Sequence, residues 1–182
     1  MEELKLIFLD IDGVVNSTRS VIAKIGRAFT EEECEALGTV PYGAEHAMKC
    51  VDPVCVALVN KLIACDERIG VVLSSTHRRH FHHGSYGSAE HLQRLRVYLG
   101  AMGFKLPAHF NVTECLERPR GSEVQQFLEN VVVNEYVILD DGTDFKQGQP
   151  LVRVDPVVGM DFNNYVDACK FLAVPEPSTI LL

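Results

Sequence analysis

The amino-acid sequence predicts an α/β fold, in which a parallel β-sheet is covered by helices on both faces. Short, continuously apolar runs alternate along the chain with longer segments whose apolar residues recur at helical spacing. Such runs are typical of strands buried on both faces, and the alternation is typical of right-handed strand–helix–strand units. Three of the predicted strands end in aspartate or serine residues. Because the carboxyl ends of parallel strands share one edge of the sheet, the sequence predicts a site there.

The first half of the chain contains two predicted strands with one predicted helix between them. Residues 4–9 are apolar apart from a single lysine and predict the first strand. Asp52 and Pro53 form an N-cap and a first helical residue, and the helix that they start extends to near Asp66. The second strand covers residues 69–73.

The second half of the chain predicts three further helices and three further strands. Ser88 is placed to cap a helix that Gly103 terminates. The remaining elements follow in the order of a short strand at 110–112, a helix at 121–131, strands at 135–139 and 151–154, and a helix from the cap Asp161 to about Leu172.

Residues 16–51 fit this alternation poorly, although a short helix is predicted at 31–37. The segment is either a small flap or cap over the site or an ordinary long connection. We expect one domain over residues 1–173 with a small or absent cap, followed by a flexible tail over residues 174–182.

Composition narrows the class of protein. With 182 residues, 47% hydrophobic and 23% charged, the chain is typical of one globular domain. A net charge of −8 argues against a broad basic surface for nucleic acid. Six cysteines include no C-x-x-C pair, which favours a reduced, intracellular protein. The N-terminus is acidic, and Asn60 and Lys61 interrupt the longest apolar run, so we expect a cytoplasmic protein without a membrane span.

The first strand ends in two aspartates separated by one residue, Asp10 and Asp12, and Gly13 follows. Two carboxylates this close repel each other, and Mg²⁺, which prefers oxygen ligands, would neutralise them and hold a phosphate. Asp10 could then attack phosphorus while Asp12 handles the proton of the leaving group. The alternative is an Asp-x-Asp-Gly turn that only closes the strand.

Two other strand ends and a basic residue complete the predicted site. A hydroxyl at Ser74 could hold a phosphate oxygen, and Asp140 or Asp141 could join Asp10 on the metal with a backbone carbonyl of residue 11 or 12. Arg118 and Arg120 are the candidate cations for the charge of a phosphoryl group. Taken singly, these residues also fit strand-end caps, a turn and a surface ion pair.

The motifs resemble those of the haloacid dehalogenase-like (HAD) phosphohydrolase superfamily, and in particular the HAD domains of the Swiss Army Knife RNA repair group. The similar segments are FLDIDGVVNS at 8–17, VLSSTHR at 72–78, RGSEV at 120–124 and YVILDD at 136–141. The chain has His77 where closer relatives usually have tryptophan. It has an arginine where the wider superfamily more often has lysine, which keeps the charge.

The resemblance implies a Rossmann-like fold and an aspartyl-phosphate mechanism. Asp10 would be the nucleophile and Asp12 the general acid and base, and the presence of Asp12 favours phosphatase chemistry over dehalogenation. The residues implied to bind the substrate phosphate are Ser74, Ser75 and Arg120, and those implied to hold Mg²⁺ are Asp10, Asp12, Asp140 and Asp141.

The basic run from His77 to His83 follows the second motif. A solvated loop is the simplest interpretation, with Arg78 set apart because it adjoins the motif. The alternatives are guidance of a phosphorylated substrate, with Phe81 stacking on a base, and a zinc site.

The sequence therefore predicts a Mg²⁺-dependent phosphomonoester hydrolase that acts on a phosphorylated small molecule or a nucleic-acid end. The alternative is a non-catalytic phosphate-binding or regulatory module on the same fold.

Overall fold

A computed structural model of the protein describes residues 4–28, 30–36, 48–79, 86–114 and 118–176. The strands are β1 Leu4–Leu9, β2 Ile69–Leu73, β3 Phe110–Val112, β4 Val133–Asp140 and β5 Leu151–Arg153. The helices whose bounds are described are α1 Thr18–Ile25, α2 Glu31–Ala36, α3 Pro53–Ile63, α4 Ala89–Ala101, α5 Arg120–Leu128 and α6 Phe162–Phe171, with a 3₁₀ helix at Thr76–Arg79.

The sheet has the order β3-β2-β1-β4-β5, and every described pair of neighbouring strands is parallel. The predicted α/β class with a Rossmann-like parallel sheet is thereby confirmed. β1 lies at the centre, so the strand that ends in the first aspartate has a neighbour on each side. This position brings the ends of β2 and β4 to either side of Asp10.

Both faces of the sheet are covered, as the continuously apolar strands predict. Alternate side chains of β1 point to opposite faces, so Ile7 and Leu9 join one apolar cluster while Leu6 and Phe8 join another. The first and larger cluster includes buried residues of α3, α4 and α6, and α5 covers the second. The buried apolar contacts hold the strand ends in fixed positions.

Element boundaries agree with the sequence prediction in most places. Three helices begin at the predicted caps, since Asp52, Ser88 and Asp161 each accept a hydrogen bond from a backbone N–H in the first turn. The predicted helix 121–131 ends earlier, at Leu128, and the predicted strand 135–139 is longer, since it spans Val133–Asp140.

Helix α1 was not predicted. The Ser17 hydroxyl accepts from the N–H of Ser20, and Gly26 ends the helix in the left-handed region at φ 81°. Two backbone hydrogen bonds fix the start of the helix: the N–H of Thr18 donates to the carbonyl of Pro156, and that of Arg19 donates to the carbonyl of residue 157. Both α1 and α2 lie in the segment 16–51, for which a small cap or a long connection is predicted, and residues 29 and 37–47 of that segment lie outside the described residues.

The predicted tail begins at Val174, which is buried against the core, and residues 177–182 lie outside the described ranges. None of the helices in the described ranges is long and apolar enough to cross a membrane.

Candidate active site

The three strand ends converge as the parallel topology requires. The backbone N–H of Asp10 donates to the carbonyl of Leu139 at 3.0 Å, and that of Ser74 donates to the carbonyl of Leu9 at 3.0 Å. Asp10 therefore lies between Ser74, which directly follows β2, and Asp140 at the end of β4, at one edge of the sheet. Residues far apart in sequence thus meet at this edge.

Asp10 is almost completely buried, and both of its carboxylate oxygens are held. Oδ1 accepts from the N–H of Ile11 at 2.7 Å, and Oδ2 accepts from Nη1 of Arg120. The same nitrogen donates to Oδ2 of Asp140 at 2.5 Å. One guanidinium therefore bridges two carboxylates, whereas Arg118 is exposed to solvent.

Arg120 is positioned by the close approach of a loop to the first turn of α5. Its N–H donates to the Asp144 carboxylate at 2.9 Å, and Gln149 donates to the carbonyl of Gly121 at 2.9 Å. A Cβ at Gly121 would lie 2.7 Å from the backbone nitrogen of Lys146, so only glycine fits without a shift. The loop and helix thus pack closely enough to fix the start of the Arg120 side chain.

Asp10, Asp140 and Asp141 form a group of carboxylates whose ligand oxygens lie within 4.8 Å of one another. Oδ1 of Asp140 also accepts from the N–H of Gly142 at 2.8 Å. Oxygen donors of this kind and spacing suit Mg²⁺, which is bound in proteins by one or two carboxylates together with water and substrate oxygens. The residues present therefore fit a magnesium ion.

Burial and mutual repulsion of these carboxylates change their acidity. Burial, followed by the negative charge of Asp10, raises the pKa of Asp140 to about 7, although Arg120 opposes the shift. The same two causes raise the pKa of Asp141. A cluster of acids that ionises reluctantly in the absence of added positive charge is suited to binding a cation.

Gly13 lets the turn after β1 lie directly against the end of β4. Its φ is +76°, and a Cβ built there would lie 2.4 Å from Oδ2 of Asp141. The glycine is needed both for the left-handed backbone and for the space that Asp141 occupies. The turn after Asp10 and the end of β4 are therefore in direct contact.

Asp12 lies outside the group of three carboxylates. Its side chain is 40% exposed, whereas that of Asp10 is 3% exposed. Oδ2 is 2.9 Å from Nε2 of His77, and Oδ1 accepts from Nδ2 of Asn16 at 3.3 Å. The Asp12 carboxylate is thus accessible and separately held, and the structure does not bring it into the group with Asp10, Asp140 and Asp141.

The two predicted phosphate-binding serines differ in their surroundings. Ser74 Oγ is buried and, within the described part of the chain, has no hydrogen-bond partner. Ser75 Oγ accepts from the backbone N–H of His77 at 3.3 Å. An unsatisfied buried hydroxyl beside Asp10 suits a ligand oxygen, and the structure brings Ser74 rather than Ser75 into that situation.

The start of the basic run is not a solvated loop. His77 is 1% and Arg78 is 4% exposed, and both lie in the 3₁₀ helix. Arg78 donates to the carbonyls of Ser74 and Ser75 and pairs with Glu123. The interpretation as a loop is therefore wrong for His77, because the strand end places its ring between Asp12 and α4. Residues 80–83 lie outside the described residues, with Phe81 and three of the four histidines proposed for zinc.

Sequence reasoning did not find Tyr98, Asn16 or Glu123 as parts of the site region. Tyr98 lies three residues after Leu95 on the apolar stripe of α4, so its position predicts burial but not its hydrogen bond to His77. Glu123 is a buried charge that requires a partner. In the sequence, only its position beside a predicted inward residue of α5 indicates this burial.

Comparison with known proteins identifies the family of the chain. No curated protein and no solved structure matches the chain. One family model, described as the HAD domain in Swiss Army Knife RNA repair proteins, matches residues 6–164. The matched span contains the strands from β2 to β5 and every carboxylate of the site. Since it covers far more than half of the sequence, the chain belongs to this family of HAD domains.

Proposed function

We propose that the protein is a Mg²⁺-dependent phosphomonoester hydrolase that uses an aspartyl-phosphate intermediate. Membership of the HAD family supports a phosphatase-type hydrolase in general terms. The observation that carries the proposal is the convergence of Asp10, Arg120, Asp140 and Asp141 at one sheet edge. We infer Mg²⁺ as the cofactor from the oxygen-only donor set.

In the first step, a carboxylate oxygen of Asp10 attacks phosphorus and the bond from phosphorus to the ester oxygen breaks. The leaving alkoxide takes a proton from Asp12, which becomes a carboxylate. The Asp10 oxygen that attacks must be released from a hydrogen bond, whereas the Ile11 N–H or Arg120 retains the other oxygen and keeps the group oriented.

In the second step, Asp12 removes a proton from water and the resulting hydroxide attacks the phosphoryl group on Asp10. The acyl phosphate bond breaks, which regenerates the Asp10 carboxylate and releases inorganic phosphate. Arg120 neutralises charge on the phosphoryl oxygens, and Ser74 Oγ supplies a donor that no protein group in the described ranges uses. A bound Mg²⁺ would supply further positive charge to the same oxygens.

We propose phosphomonoesters of nucleotides or nucleic-acid ends as the leading substrates, with phosphorylated small molecules as the other class. The family description links this domain to RNA repair proteins. A net charge of −8 disfavours long contacts with a nucleic-acid backbone, whereas attack on one terminal phosphate needs only local positive charge such as Arg120.

The test is phosphate release from p-nitrophenyl phosphate and from 5′- and 3′-phosphorylated nucleotides and short RNAs, with Mg²⁺ or with EDTA. Asp10→Asn should lower turnover at least about 1,000-fold, because the nucleophile is lost. Asp167→Asn, on the exposed side of α6, is the matched control and should leave turnover unchanged. Tight phosphate binding by Asp10→Asn, without turnover by the wild type, would support the binding module instead.

A further inference from the structure

We propose that His77 is a positioning residue for Asp12, and that it determines which carboxylate oxygen delivers the proton to the leaving group. This inference rests on the proposed function and deepens it. His77 Nε2 lies 2.9 Å from Oδ2 of Asp12, and Nδ1 lies 2.8 Å from the hydroxyl of Tyr98. The three side chains thus form a continuous chain of hydrogen bonds from α4 to the site.

The chemistry of these two hydrogen-bonded neighbours determines which ring nitrogen donates. An ionised carboxylate only accepts hydrogen bonds, so Nε2 must carry the hydrogen that it donates to Asp12. In a neutral ring Nδ1 is then an acceptor, and the Tyr98 hydroxyl must donate to it. Burial and the charge of Asp12 raise the pKa of Tyr98, so the hydroxyl keeps its hydrogen.

The environment of the ring makes this arrangement rigid. His77 is 1% and Tyr98 is 5% exposed, and their ring planes are nearly parallel, at 16°, with centroids 6.0 Å apart. The backbone N–H of His77 is also held by Ser75 Oγ. A buried ring held at its backbone and at Nδ1 can present Nε2 in only a narrow range of directions.

The consequence for Asp12 is an asymmetry between its two oxygens. Oδ2 receives the hydrogen of Nε2, so the acidic proton of Asp12 resides on Oδ1. Oδ1 has the longer contact, 3.3 Å to Nδ2 of Asn16, and the Asp12 side chain is 40% exposed. Because His77 occupies Oδ2, Oδ1 is the oxygen that transfers the proton to the ester oxygen and recovers one from water.

The variant series separates the hydrogen bond from the packing. His77→Leu removes the donor, whereas His77→Gln retains an N–H donor at similar reach. Tyr98→Phe removes the partner of Nδ1 and preserves the ring. Each variant is compared on p-nitrophenyl phosphate, whose phenolate leaves without protonation, and on a nucleoside 5′-monophosphate, whose alkoxide needs a proton.

We expect His77→Leu to lower the single-turnover rate of ester cleavage about 100-fold on the nucleotide and less than about 3-fold on p-nitrophenyl phosphate, because only this first step depends on the leaving group. His77→Gln should recover at least about a tenth of the lost cleavage rate, and Tyr98→Phe should show a weaker form of the same selectivity. Equal losses on both esters, or no loss on the nucleotide, would overturn the proposal, because a merely structural role does not distinguish leaving groups.

A second measurement is independent of turnover. Long-range ¹H–¹⁵N correlation spectra of the histidines in the intact chain should show His77 with a protonated Nε2 and an unprotonated Nδ1, and Tyr98→Phe should disturb that pattern. The opposite tautomer in the wild type would contradict the proposed hydrogen-bond order. If wild type released no phosphate from either ester, the proposed function would fail, and this spectrum would still decide the geometry on which the role of His77 rests.

Discussion

Arg78 and Glu123 form an ion pair that is closed off from solvent, with side chains 5% and 4% exposed. Nη2 of Arg78 donates to Oε2 of Glu123 at 2.5 Å, and Nη1 donates to the carbonyls of Ser74 and Ser75. The pair therefore connects the end of β2 to the first turns of α5. These are the two elements that bring Ser74 and Arg120 to the site.

Removal of one member of this pair should lower the free energy of unfolding far more than replacement of both members by apolar residues. Glu123→Leu leaves a buried guanidinium without its carboxylate, and we expect the free energy of unfolding to fall by about 3–5 kcal/mol. The double variant Arg78→Met/Glu123→Leu should lose less than the sum of the single losses. Urea unfolding at pH 7 measures the stability of the wild type, of Arg78→Met, of Glu123→Leu and of the double variant. Strict additivity of the two single losses would contradict a coupled pair.

The raised pKa of Asp140 predicts a stability that depends on pH. Between about pH 4, where an unfolded aspartate ionises, and about pH 7, Asp140 keeps a proton in the folded state that it loses in the unfolded state. Stability without Mg²⁺ should therefore fall as the pH rises through this range. Asp140→Asn should flatten the slope and stabilise the protein at pH 8 by about 1–3 kcal/mol.

Thermal unfolding from pH 4 to pH 8, with EDTA and with Mg²⁺, tests this dependence. Mg²⁺ at pH 8 should raise the Tm of the wild type and leave that of Asp140→Asn nearly unchanged, because the ion stabilises only a folded site that binds it. The exposed variant Asp167→Asn should behave as the wild type. A wild-type stability that rises between pH 5 and pH 7 while that of Asp140→Asn is flat would contradict the assignment.

Asp52 should contribute acid-sensitive stability at the start of α3. Burial opposes its charge, but hydrogen bonds from Arg19 and from the N–H of Val54 outweigh that effect and lower the pKa of Asp52. Its contribution is therefore present above about pH 4 and disappears as the pH falls below it. Asp52→Ala should cost about 1–2 kcal/mol at pH 7 and less at pH 3.

Asp52→Asn is the matched variant for this prediction, because asparagine also caps helices but lacks the charge that pairs with Arg19. Urea unfolding at pH 7 should place it between the wild type and Asp52→Ala. If both variants were as stable as the wild type at pH 7, neither the cap nor the ion pair would contribute.

Gly13→Ala should damage the site beyond its cost to the backbone. The new Cβ would lie 2.4 Å from Oδ2 of Asp141, so Asp141 must move. Gly148→Ala is the control, because Gly148 also has a left-handed φ, +87°, but a Cβ added to it would meet no atom within 4 Å. Both variants should lose about 1–2 kcal/mol of stability.

Only Gly13→Ala should also weaken Mg²⁺ binding and lower turnover, by about tenfold or more, since an aspartate in the proposed metal group is displaced. Isothermal titration with Mg²⁺ and phosphate release measure the two effects. Equal Mg²⁺ affinities in the two alanine variants would show that the contact with Asp141 has no part in the site.

The fold was predictable from sequence because its strands are short apolar runs buried on both faces. The convergence of Asp10, Ser74 and Asp140 followed from parallel topology alone, since each lies at a strand end. Helix α1 was not predictable in this way. It buries only Ser20 and Val21 and depends on backbone bonds to residues 156 and 157, which no local periodicity reveals.

The hydrogen bonds of the site could also not be predicted from the sequence. His77 meets Asp12 across 65 positions and Tyr98 across 21, and the same residue types in the same order fit a solvated loop equally well. The choice between Arg118 and Arg120 likewise required the start of α5, because two arginines two residues apart on a loop have similar reach.

The central place of β1 in the sheet also has a consequence for protein synthesis. One flank of β1 is completed early, by β2, but its other neighbour is β4, and Arg120 follows Asp10 by 110 positions. A nascent chain that has emerged only as far as β3 contains Asp10 but lacks Arg120, Asp140 and Asp141. The proposed site is therefore completed late in synthesis, and a fragment cleaved before residue 120 should lack the proposed hydrolase activity.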